Sequence, residues 1–81
     1  SKDQVTYIFD NEPRNKEIVN RMEKTIEEGY NIFIWPSDIQ LKDVNDLIMT
    51  GVTKVQLDEI ISINTYSKLS AKQALVNYKK V

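Results

Sequence analysis

The stretch YIFDNEPRNKE, Tyr7 to Glu17, passes abruptly from bulky residues to two acids and a proline. Upstream it completes Val5–Phe9 (VTYIF), a β-branched and aromatic run that predicts a buried strand. Downstream, Pro13 suits the first position of a helix, where its missing N–H costs nothing. Ile18, Val19, Met22 and Ile26 then recur at helical spacing, with Lys16, Glu23, Lys24 and Glu27 on the other face. Gly29 is placed to end that helix. A second apolar run, Asn31–Trp35 (NIFIW), is closed by Pro36. Strand, helix, strand in so short a span predicts a βαβ unit with parallel strands and a right-handed crossover.

The rest of the chain is expected to be helical. Asp43-Val44-Asn45-Asp46 opens a short helix through Met49, stopped by Gly51. Thr53-x-x-Gln56 has the form of a capping box before Ile60 and Ile61, and Ser70-x-x-Gln73 repeats it before Leu75 and Val76. Asn64–Ser67 is the only stretch that reads as a linker. The chain divides into 1–50, the βαβ unit plus an acidic helix turn, and 51–81, the C-terminal helices.

Composition narrows the chemistry. With 81 residues the chain is at most one domain, near the size where a lone core is marginal. A net charge of −1 supplies no general attraction for nucleic acid, so any such contact must be local. The absence of cysteine and histidine removes disulfides, thiolate zinc sites and imidazole bases. No signal peptide or long apolar run stands out, and the expected location is the cytoplasm.

Two parallel strands alone are a poor sheet, because parallel strands are normally buried on both faces among several neighbours. The chain is therefore expected to be the C-terminal part of a larger domain whose other strands lie upstream. The alternative is dimerisation through strand edges.

In an extended strand, side chains two apart share a face, so Asp10 and Glu12 are expected to project together from the end of the first strand. Pro13 favours an extended Glu12. The second strand ends at the same edge, where open parallel sheets bind ligands. Its following loop carries Lys42, Asp43 and Asp46. Four carboxylates without His or Cys suit a hard cation, Mg²⁺, Mn²⁺ or Ca²⁺, and with Mg²⁺ the natural chemistry is phosphoryl transfer or phosphodiester hydrolysis. Arg14, Lys16 and Lys42 are placed to meet a phosphate. Each has a plainer reading: Asp43 and Asp46 as helix cap and N-terminal acid, Arg14 and Lys16 as solvated residues, Trp35 as core. Lys72, Lys79 and Lys80 read as a solvated face.

A strand ending in "DNEP", a helix, a strand ending in "WP" and then "KDVND" resembles the second half of a Toprim domain, the metal-binding catalytic domain of topoisomerases and bacterial-type primases. More narrowly, "FDNEPRNKEIVNRM", "GYNIFIWP" and "KDVNDLI" are similar to the C-terminal region of DNA primases of T-even-type bacteriophages. The fold class this implies is α/β, the C-terminal βαβ half of a Toprim-like parallel sheet followed by short helices. The resemblance implies that Asp10 and Glu12 are the catalytic, Mg²⁺-binding pair, with Asp43 and Asp46 in a second acidic segment. It implies a parent enzyme that makes RNA primers from ribonucleotides on a single-stranded DNA template, partnered by the replicative helicase and by the upstream half of the same domain. The Toprim pattern's earlier glutamate and the primase zinc module have no counterpart here, so the 81 residues alone are expected to be inactive. Other readings are a Toprim-type nuclease, a receiver-like phosphorylation module with Asp10 as acceptor, and a non-catalytic helicase-docking unit.

Overall fold

The computed structural model describes all residues, Ser1–Val81. After a single 3-10 turn at Lys2–Gln4 the order is β1 (Thr6–Ile8), α1 (Lys16–Glu27), β2 (Asn31–Phe33), α2 (Val44–Met49), α3 (Lys54–Ile63), β3 (Thr65–Tyr66) and α4 (Lys68–Tyr78). The sheet order is β1-β2-β3. β1 and β2 are parallel, in the register Thr6 to Asn31, Tyr7 to Ile32 and Ile8 to Phe33. β1, α1 and β2 thus form the expected βαβ unit with parallel strands.

The centre of the molecule is β2 and its continuation. Side chains alternate across a strand. Ile32 and Ile34 accordingly join Val19, Met22 and Ile26 of α1 and Ala71 and Leu75 of α4 in one core cluster. Phe33 and Trp35 join Leu47 of α2 in a second, with Leu57, Ile60 and Ile61 of α3 packed against it. A run that faces a core on both sides must be apolar at every position, which explains NIFIW. The only buried polar side chain, Thr25, donates its hydroxyl hydrogen to Arg21 O at 2.9 Å and so is satisfied.

Several expectations are corrected. Asn64–Ser67 is not a linker. It contains β3, which pairs antiparallel with β2 through Ile32 to Tyr66 and Phe33 to Thr65. The sheet is thus mixed rather than purely parallel, and β2 gains its second neighbour within this chain. β1 is not buried: Val5, Tyr7 and Ile8 are all exposed, and the strand has a partner on one side only. The first helix does not begin at Pro13. Asn15 is its N-cap, its side-chain oxygen accepting from Ile18 N–H at 3.2 Å, because a capping amide satisfies a donor that Pro13 cannot. The last helix opens one turn before Ser70. Ser67 is its N-cap, its N–H donating to Ser70 Oγ at 3.4 Å, so Ser70 is the third helical residue.

The other punctuation is as expected. Gly29 and Gly51 follow helix ends with φ of 91° and 92°, the left-handed region that glycine tolerates. Thr53 and Gln56 form both bonds of a capping box. No helix is long and apolar enough to cross a membrane.

Candidate functional site

The acid-bearing segment lies beyond the C-terminal end of β1 and is turned, not extended. Glu12 N–H donates to Asp10 O at 3.0 Å, and Asn15 N–H donates to Glu12 O at 3.0 Å. The second bond closes a turn with Pro13 at its first central position, where proline's fixed φ fits. Strand periodicity therefore does not govern Asp10 and Glu12. Asp10 is exposed and Glu12 half-buried, and neither takes part in an ion pair.

What holds this segment is Asn11, the residue between the acids. Its side-chain N–H groups donate to Ile39 O at 3.1 Å and Leu41 O at 2.8 Å. Its side-chain oxygen accepts from the Tyr78 hydroxyl at 3.1 Å. Its backbone N–H donates to Lys42 O at 2.6 Å. One amide thus ties the end of β1 to the loop after β2 and to the last turn of α4. Two further bonds brace the assembly. The Trp35 indole N–H donates to Phe9 O at 2.9 Å, and Lys80 N–H donates to Pro13 O at 2.8 Å.

Burial pushes the Tyr78 hydroxyl up to about 12, its bond with the Glu12 backbone partly offsetting this and the Glu12 carboxylate's charge adding to it. The phenol therefore stays protonated and donates throughout the neutral range.

The loop after β2 does reach the same edge, as the bond from Asn11 to Lys42 shows. The four carboxylates are nonetheless not gathered into one cage, since no three acids form a group that could hold a metal ion. Asp43 is the N-cap of α2, one oxygen accepting from Asp46 N–H at 2.8 Å, and Asp46 is an exposed acid in the first turn. Those are the positions a helix dipole favours. Arg14, Lys16 and Lys42 are exposed and make no ion pair. Trp35 is core, against Phe33 edge-to-face at 5.0 Å. Lys72 and Lys80 are exposed, while Lys79 lies 3.9 Å from Glu23.

Beside the acid turn is a cleft of about 700 Å³, walled by α4 and by the loop after β2. Asn11 and Pro13 line it, so Glu12 stands at its margin. Sequence reasoning missed Asn11 and Tyr78. The one available signal was a lone amide between two acids, a residue type able to donate twice and accept at once.

No protein-family model matches the chain. It is 37% identical over 82 residues to the DNA primase of Enterobacteria phage T4, an alignment that covers 99% of this chain and 24% of that protein. The similarity supports relating the chain to a piece of a DNA primase, one that spans about a quarter of its relative's length.

Proposed function

We propose that this chain is the acid-bearing part of a primase catalytic domain of Toprim type, and that Asp10 and Glu12 hold Mg²⁺ there. The observation that carries the reading is the acid pair seated just past the first of two parallel strands joined through α1, in a chain similar throughout to part of a DNA primase. The donor set fits the ion. Mg²⁺ takes one or two carboxylates and keeps several waters, so an uncaged, oxygen-only pair suits it better than Ca²⁺, which prefers more protein ligands.

The bound ion would supply charge neutralisation at phosphate oxygens and lower the pKa of an attacking hydroxyl. The chain's own contribution is positioning. Asn11 fixes the backbone on both sides of itself, so the carboxylates start from a set turn rather than a mobile loop. Arg14, Lys16 and Lys42, unpaired and nearby in sequence or backbone, are the residues to meet a phosphate. The one-sided pairing of β1, with Val5, Tyr7 and Ile8 exposed, supports a further strand of the parent domain as neighbour. In the whole enzyme the substrates are ribonucleotides and a single-stranded DNA template, and the replicative helicase is the partner.

The test is Mn²⁺ titration of the ¹⁵N-labelled chain. Paramagnetic broadening should begin at Asp10–Glu12 and vanish in the Asp10→Asn/Glu12→Gln double variant. Broadening centred on α3 or α4 would remove the site. In a full-length enzyme, the same double variant should lose primer synthesis while still binding template.

A further inference from the structure

The cleft beside α4 has no part in cation binding, yet its wall is distinctive. None of its sixteen lining residues is Asp or Glu, in a chain that holds 12 of them. Its one cation, Lys80, makes no ion pair. An anionic ligand therefore meets no carboxylate among the lining residues, Glu12 standing at the margin beside Tyr78, and one unpaired ammonium, Lys80.

The wall is also rich in unengaged amides. Gln73 and Asn77 are four apart on α4 and share a face, and neither side chain bonds to another group of the chain. Across from them Gln40 spends its N–H on Ser37 O at 2.7 Å and keeps its carbonyl oxygen free. An amide offers a donor and an acceptor side by side, the pattern that pairs with the edge of a nucleobase. Tyr66 also lines the space, and aromatic side chains stack on bases. A volume of about 700 Å³ is within the range of small-ligand sites and admits a nucleotide.

We propose that this cleft is a nucleotide site, with the base held between the Gln73 and Asn77 amides and the Tyr66 ring, and the phosphate toward Lys80. The assignment deepens the primase reading, on which its choice among amide-binding ligands rests. The same chemistry is offered by a free nucleotide and by one unit of a single strand, and titration separates the two.

The experiment follows the ¹⁵N-labelled chain with adenosine, AMP, UMP and a short single-stranded oligonucleotide. AMP should shift the side-chain amides of Gln73 and Asn77 and the Trp35 indole, and should bind more tightly than adenosine. Lys80→Gln should erase that difference. The Gln73→Ala/Asn77→Ala variant, altered only at exposed helix positions, should keep its fold and bind about tenfold more weakly, which is about 1.4 kcal/mol. Saturation by AMP at the concentrations that suffice for the oligonucleotide identifies a free-nucleotide site; a much tighter oligonucleotide identifies a strand site. The proposal is overturned by unchanged spectra at millimolar AMP, by shifts confined to α1 or α3, or by undiminished binding in the double alanine variant. A polypeptide that shifts these signals where AMP does not would overturn it too. The Asp10→Asn/Glu12→Gln variant should lose Mn²⁺ broadening but keep the AMP shifts. Absent Mn²⁺ binding in the parent chain with AMP shifts intact would count against the cation site alone, and the reverse against the cleft alone.

Discussion

Tyr78 donates its hydroxyl hydrogen to Asn11 Oδ1 at 3.1 Å across 67 residues of sequence, so the last turn of α4 holds the turn between the two acids. Tyr78→Phe keeps the ring and removes that bond. Its cost should be about 0.5–1.5 kcal/mol in urea unfolding, with chemical-shift changes at Asp10–Glu12 rather than along α4.

The same hydroxyl makes stability fall at alkaline pH. Its pKa is about 12 in the fold against 10.0 as the ordinary value, so the unfolded chain releases the proton first. This contribution is whole below pH 10 and is lost as the pH rises through about 12. Thermal melts from pH 9 to about pH 11 should show a steeper decline for the parent chain than for Tyr78→Phe.

Asn11 should be the most sensitive polar position. Asn11→Ala leaves the Ile39 and Leu41 carbonyls without their donor, at a cost of about 1–3 kcal/mol. Asn11→Asp should be worse, because it faces two carbonyl oxygens with a carboxylate that has no hydrogen to give. A stable Asn11→Asp chain with unchanged signals at Ile39–Lys42 would show that the amide is not the anchor.

Asp43 tests the cap against a cation role. Asparagine caps about as well as aspartate, whereas alanine costs about 0.5–2 kcal/mol. Asp43→Asn should retain both stability and Mn²⁺ broadening at Asp10–Glu12, and Asp43→Ala should lose stability only. Reduced Mn²⁺ affinity in the asparagine variant would return Asp43 to the ligand set.

The open edge of β1 should make the isolated chain associate as its concentration rises, since exposed apolar edge strands seek partners. Ile8→Lys, at an exposed position, should keep it monomeric in sedimentation.

Features with a local cause were legible in the sequence. The helical spacing of Val19, Met22 and Ile26, the caps at Asp43 and Thr53, and the glycines at 29 and 51 each depend on neighbours a few residues away. β3 was not legible, because a two-residue ladder is too short to show a period of two. Nor was the exposure of β1, since VTYIF reads the same on an edge as in the middle of a sheet. The helix start was misplaced because two signals competed and Asn15 won over Pro13. At the candidate site, the acids could be named from their types and order, but their geometry could not. It depends on Asn11 meeting Ile39, Leu41 and Tyr78, long-range bonds whose partners a lone amide between two acids does not name.

The bonds from Tyr78 to Asn11 and from Lys80 to Pro13 also set an order of events during synthesis. The ribosome releases Asn11 first, its carbonyl partners Ile39 and Leu41 follow 28 and 30 residues later, and Tyr78 comes only after 67. Until then the acid turn is tied on one side only, to the loop after β2. The second brace arrives only when α4 has closed. A nascent chain stalled before Tyr78 would carry the acids on a turn braced from one side, without the clamp of α4.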